Sequence, residues 1–230
     1  MISIRGDFTA RRSEIDQYLD LLRKIEDGEY LLHYQGNYVN LPTTVKTTQK
    51  ASAILLLYNI VESVVTKLLI RIHEVVISKD VGYFDLNDKI KDLTLVYFNS
   101  VIEKKQSFHD AVPFVQSLIG MLMRNAKFEV SYEEMEKHYS LYSGNLDSRK
   151  IKETFSKYGV VVRETASELQ TIKNGRNKLA HGEVSFEEYG RELSIQQLSA
   201  LKDATLNYLK NLIDEVEEYV NSAGYRLEAG

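Results

Sequence analysis

An all-α fold is what this sequence predicts, and three observations predict it. Only two prolines and twelve glycines interrupt 230 residues, and the good helix formers Leu, Glu and Lys are frequent. Apolar residues recur at i, i+3, i+4 and i+7 along most of the chain. Ser or Thr stands three before Glu or Gln at the head of helical stretches, at Thr165–Glu168, Ser131–Glu134, Ser185–Glu188 and Ser194–Gln197, the pattern of a capping box. The expected architecture is an up-down helical bundle in one domain over 1–230, with about 82–160 as an insertion or subdomain.

The elements follow in order. Residues 7–33 read as a first helix with the stripe Ile15, Leu19, Leu22, Ile25, joined by Tyr18 and Leu21. Gly36, Asn37, Asn40 and Pro42 break the pattern, so 34–47 reads as a loop with a short extended segment around 39–41. Residues 48–78 form the longest helix, apolar on nearly all sides through Ile54, Leu55, Tyr58, Val61, Val65, Leu68, Leu69 and Ile72. Such a helix belongs in a bundle centre or a dimer contact. Its run 51–72 approaches the length of a membrane span. Asn59, Glu62, Lys67 and Arg71 interrupt it, however, and such groups are expensive in lipid, so a buried core helix and no membrane are expected.

Gly82 and 85–88 mark a turn, and helices follow over 88–105 and 108–125, the second with Pro113 in its first turn. A helix over 132–142 follows the box at Ser131. Asp147 or Ser148 caps another over 149–158, which Gly159 stops, and Val160–Val162 is ambiguous. The box at Thr165 opens a helix that Gly182 ends. Ser185 opens a helix of one or two turns, and Ser194 opens the last, 195–222. Its stripe is Ile195, Leu198, Leu201, Thr205, Tyr208, Leu209, Leu212, Val216 and Tyr219. The tail 223–230 is expected to fray.

Composition removes several function classes. The absence of cysteine excludes disulfides, thiolate metal sites and cysteine nucleophiles, and fits a reducing cytosol. The first sixteen residues hold no apolar signal segment, so a cytoplasmic protein is expected. A net charge of −4 confines any nucleic-acid contact to a local patch. His33, His73, His109 and His138 show neither H-x3-H nor H-E-x-x-H spacing, so no metal is expected, and His73 reads as a packed histidine. No glycine-rich phosphate loop appears, and no cofactor is expected. Tyr18, Tyr58, Tyr97 and Tyr208 fall on apolar stripes and read as core. Tyr34, Tyr38, Tyr139 and Tyr142 lie in or near loops and are freer to stack.

The helix 165–182 carries the candidate chemistry. Asn177 and His181 are four apart and share a helix face. Arg176 is five before His181, roughly 140° around an ideal helix, but its side chain is long. Arginine offers a charged planar fork suited to phosphate, and histidine exchanges a proton near neutral pH. That pair is the minimum needed to cleave a phosphodiester whose own 2′-OH attacks. Lys173 and Lys178 add local positive charge. The same spacing also fits Arg176 in a surface ion pair and His181 as a helix-end residue stabilised by the dipole. Asn59 and Glu62 are likewise open to two readings. Either neighbouring helices or water satisfy them, or they line a polar cleft in which Glu62 pairs with Arg176.

Arg176-Asn177-Lys178-Leu179-Ala180-His181 resembles the R-x4-6-H motif of the HEPN superfamily in its R-N-x-x-A-H form. Tyr58-Asn59-Ile60-Val61-Glu62 resembles a segment of prokaryotic stand-alone HEPN proteins. So does Ser143-Gly144-Asn145-Leu146-Asp147, with Ile151 and Tyr158-Gly159 downstream. The resemblance implies an all-α, usually dimeric protein, and many members are metal-independent endoribonucleases of toxin–antitoxin or phage-defence systems. It implies RNA as substrate and a homodimer whose two motifs meet in one cleft, with Arg176 and His181 catalytic and Asn177 supporting. Lys173, Lys178, Asn59 and Glu62 are then candidates for contact with substrate, and an antitoxin or nucleotidyltransferase for a partner. Some members carry a tyrosine two residues after the histidine, which the nucleotidyltransferase modifies. Here that position is Glu183, which puts that route in question. The alternative is a non-catalytic HEPN module that binds protein or a nucleotide.

Overall fold

The long apolar run becomes α2, Thr43–Ser78, the helix on which the early and late helices pack in this computed structural model. The structure describes residues 2–104, 108–142 and 144–227. Ile54, Leu57, Tyr58, Val65, Leu68 and Leu69 of α2 are buried, because α1 (Ile2–Glu26) and α9 (Ile195–Asn221) pack on it together with α7 (Glu168–Ala180) and α8 (Phe186–Arg191). Truncating one such leucine to alanine would cost about 2–5 kcal/mol. A polar, half-exposed strip remains on α2 at Asn59, Glu62, Ser63 and Thr66, spaced i, i+3, i+4, i+7. α2 is long and apolar enough to cross a membrane, but most of its apolar window is buried inside the protein.

α8 lies close on the start of α2, where the backbone at Gly190 meets the Thr47 carbonyl and leaves no room for a Cβ. The middle of the chain forms α3 (Asp88–Glu103), α4 (Phe108–Arg124), α5 (Tyr132–His138) and α6 (Ser148–Ser156). Their apolar residues Ile90, Tyr97, Met135 and Phe155 join the same core as α2. A buried polar knot ties them to it. His73 Nδ1 bonds the Val130 carbonyl at 2.7 Å, and Nε2 meets the Tyr158 hydroxyl at 2.8 Å. A carbonyl only accepts, so Nδ1 carries the proton and Nε2 accepts from Tyr158. Burial pushes the His73 imidazole down to about 4.

Several expectations hold and several are corrected. The boxes at Ser185 and Ser194 form in full. At Ser131 only half forms, because the Glu134 carboxylate turns to His138 Nε2 at 3.2 Å, and α5 ends at His138. The expected box at Thr165 and Glu168 does not form. Ser167 occupies the cap in a helical conformation and accepts no helix N–H; its hydroxyl donates instead to the Glu168 carboxylate at 3.2 Å. The first helix starts earlier than expected and ends at Glu26, after which Gly28 turns left-handed at φ 76°. The expected loop holds an antiparallel hairpin, β1 (Leu32–Tyr34) with β2 (Asn37–Val39). Gln35 and Gly36 close it at φ 49° and 79°, the positive pair a tight hairpin turn demands.

Leu21, expected in the core, is 41% exposed, and Leu55, Tyr18 and Ile195 are only partly buried. Tyr38 stands 74% exposed, whereas Tyr142 and Tyr139 bond Thr66 and Lys157. Pro113 is one turn deeper in α4 than expected. The tail is docked as far as it is described: Tyr225 is buried, and Leu227 N–H donates to the Asp85 carbonyl at 2.9 Å. Ser143, residue 105 of the expected third helix and 228–230 lie outside the described residues.

Candidate functional site

The last turn of α7 owes its shape to Gly182. With φ 68° it takes the left-handed step that ends the helix, and the backbone closes a Schellman turn. Glu183 N–H donates to the Lys178 carbonyl at 2.9 Å, and Gly182 N–H to Leu179 at 3.3 Å. His181 is the cap residue and keeps helical angles, φ −88° and ψ −1°. Asn177 and His181 therefore stay on one face. The imidazole is exposed and makes no hydrogen bond among the described residues.

Leu169, Ile172, Gly175 and Leu179 bury the opposite face of α7. Gly175 allows the close approach, since a Cβ there would run into Tyr189 and lie 3.1 Å from Ile54 Cγ2. That approach brings the half-buried Arg176 over α2, where its Cζ sits 4.8 Å from the centre of the Tyr58 ring. Arg176 NH1 donates to Asn177 Oδ1 at 2.9 Å, and Asn177 Nδ2 donates to Asn145 Oδ1 at 2.7 Å. One nitrogen of the guanidinium is thus held by Asn177, the residue that shares a helix face with His181.

Arg5, Arg11, Arg12, Arg23, Arg71, Arg163 and Arg191 each hold a carboxylate. Arg176 holds none among the described residues. The ion pair with Glu62, one of the two readings of that residue, does not form among the described residues. Glu62 instead faces the turn at residue 144, its Oε1 3.9 Å from where a Cβ on Gly144 would lie.

The 144–147 turn closes the other side. The Tyr58 hydroxyl donates to the Gly144 carbonyl and accepts from Leu146 N–H, the latter at 3.1 Å. Burial pushes that hydroxyl up to about 12, so it stays protonated and able to donate. Asp147 caps α6 by accepting from Lys150 N–H at 2.8 Å, and its other oxygen takes Lys173 Nζ at 2.6 Å. Burial pushes the Asp147 carboxyl up, but Lys173 and the Lys150 N–H outweigh it and hold the group below its ordinary value.

The stretches singled out in the sequence, 58–62, 176–181 and the described part of the third, 144–147, therefore meet in space. The family model for MAE_28990-like HEPN domains matches residues 3–225. The chain belongs to the HEPN superfamily. No curated protein and no solved structure matches it.

Within this HEPN domain the candidate residues separate. Arg176, Asn177 and His181 share one end of α7, and the exposed Lys178 lies beside them. Lys173 is on the same helix, but its charge is taken up by Asp147. Asn59 is exposed on α2, one residue from Tyr58, and makes no hydrogen bond among the described residues. Sequence reasoning missed Tyr58 as a site residue, reading it as core, and missed Asn145 and Asp147 as partners of α7. The one signal available was that all three lie in stretches resembling HEPN segments.

Proposed function

We propose that this HEPN chain is a metal-independent endoribonuclease, a toxin or anti-phage effector of the cytoplasm, that acts as a homodimer. One observation carries the reading: a guanidinium with no carboxylate partner among the described residues is held by Tyr58 and Asn177, at the helix end that also carries an exposed and unbonded imidazole. A cation kept from its own chain's carboxylates is suited to an anion brought from outside, and a planar fork suits phosphate.

The chemistry needs few parts because RNA carries its own nucleophile. The 2′-oxygen attacks phosphorus as its proton passes to one His181, and the P–O5′ bond breaks as the 5′-oxygen takes a proton. The products are a 2′,3′-cyclic phosphate and a 5′-hydroxyl. Charge gathers on the non-bridging oxygens in between, where Arg176 stabilises it. Attack and departure occur on opposite sides of phosphorus, so one imidazole serves poorly as both base and acid. A two-fold axis placing α7 against its copy supplies the second His181 and a second Arg176. Asn177 acts through Arg176, and Lys178 and Asn59 are the free polar groups nearest the RNA path. With Glu183 at the position of the modifiable tyrosine, control by an antitoxin that covers the cleft fits better than control by a nucleotidyltransferase.

The test is purified protein on mixed RNA with EDTA present, beside His181→Ala, with product ends identified. Cleavage to 2′,3′-cyclic phosphate ends that is lost in the variant supports the nuclease. Intact RNA with wild-type protein leaves a binding module for protein or nucleotide.

A further inference from the structure

We infer that Tyr58 is a positioning residue for the proposed nuclease site, which fixes the Arg176 guanidinium and locks it to the 144–147 turn. The inference rests on the nuclease reading for its consequence but not for its geometry. Tyr58 is 1% exposed, yet its hydroxyl and its ring face both meet polar groups. The hydroxyl donates to Gly144 and accepts from Leu146, 86 and 88 residues away in sequence. Those two bonds fix the ring in its plane, and the guanidinium lies against its face at 4.8 Å. A flat cation over an aromatic face is attracted by the ring quadrupole, more strongly where water is excluded.

A guanidinium stabilises a transition state only if it is already aimed, because reorganisation during the reaction removes the gain. Asn177 fixes one nitrogen of Arg176 and the Tyr58 face fixes the plane, leaving the remaining N–H groups unbonded among the described residues. Asn177 is itself held by Asn145 of the same turn. The 144–147 turn thus holds both residues that contact the guanidinium, Tyr58 through its hydroxyl and Asn177 through its amide. Through Tyr58, an element 118 positions from Arg176 in sequence sets the direction of its charge.

The experiment follows the Nε–Hε resonance of Arg176 by NMR in the full chain, assigned by its loss in Arg176→Ala, together with kcat and KM on RNA in EDTA. In wild type the ring current moves this resonance away from those of the exposed arginines. Tyr58→Leu returns it to their position and lowers kcat about ten- to thirtyfold while KM changes less than about threefold. Tyr58→Phe keeps the ring and a displaced resonance but loses the two hydroxyl bonds, so its kcat falls between those of Tyr58→Leu and wild type. A wild-type Arg176 resonance indistinguishable from exposed arginines overturns the inference, with no variant required to fold. So does wild-type kcat in a Tyr58→Leu protein whose resonance has moved. If wild type cleaves no RNA but the resonance behaves as described, the nuclease reading fails and the positioning geometry stands.

Discussion

Lys173 and Arg176 lie one turn apart on α7, yet they are held in opposite ways. Lys173 reaches Asp147 at 2.6 Å, with the two side chains only 15% and 4% exposed. Each charge there cancels the other, and removal of either leaves its partner stranded. Arg176 is surrounded instead by groups that orient it without neutralising it, an aromatic face and an amide oxygen. A cation paired in the interior is committed to the fold. A cation oriented but unpaired is available to an anion from elsewhere, so the same helix carries a structural charge and a chemical one.

The largest expected effect tests the chemical side. His181→Ala should lower RNA cleavage by about 10²–10⁴-fold and Arg176→Ala by about 10²–10³-fold. Neither removes a partner from a buried charge, so Tm should stay within about 2 °C of wild type. A variant that loses activity only in step with Tm would erase the distinction between the two cations.

The structural side predicts the reverse pattern for Lys173→Met. Asp147 would be left buried and unpaired, at a cost of about 3 kcal/mol, which for a chain of this size lowers Tm by roughly 9 °C. Cleavage per folded molecule should remain near that of wild type. Calorimetry with the RNA assay on one preparation decides it, and lost cleavage at unchanged Tm would move Lys173 to the substrate side.

The two histidines repeat the contrast. His181 is exposed and unbonded, whereas His73 is buried with both nitrogens satisfied and its imidazole pushed down to about 4 from an ordinary 6.5. The folded protein therefore resists protonation at His73 in a range where the unfolded chain accepts it. Stability from this group is complete above pH 6.5, drains as the pH falls toward 4 and is gone below that, about 3 kcal/mol in all. Urea unfolding from pH 7 to 4 should show that loss in wild type. His73→Gln should lack that part of the slope, with other acid-labile groups common to both proteins.

The legible features were those in which a residue acts on its own neighbourhood. Gly182 ends α7, Gly159 follows α6, and the boxes at Ser185 and Ser194 close, because each needs only three or four consecutive residues. The α2 stripe was legible because burial imposes the helical period. The hairpin was not, because its turn places Gln35 in a left-handed conformation that glutamine does not advertise. At the site, the motif 176–181 was readable as a string, but what distinguishes Arg176 from the seven paired arginines was not. That depends on Tyr58 lying 118 residues away and on Asp147 choosing Lys173. No spacing rule along one helix reports what a distant turn presents to it.

The smallest expected effect concerns Lys178. It lies three residues before His181, so the two side chains are neighbours on the helix surface, and it is exposed with no ion pair among the described residues. Like Arg176 it is unneutralised, but nothing orients it. Lys178→Ala should therefore change folding stability by less than about 0.5 kcal/mol and leave kcat within about twofold. Its contribution should appear instead in the salt dependence of kcat/KM. One phosphate contact on single-stranded RNA contributes about 0.7 to the slope of log affinity against log salt, so two copies around one cleft would contribute about 1.4. A drop near 1.4 places both lysines on one RNA path, and a drop near 0.7 places one. An unchanged slope would make Lys178 an ordinary solvated lysine and leave orientation, rather than mere positive charge, as what this helix end offers to phosphate.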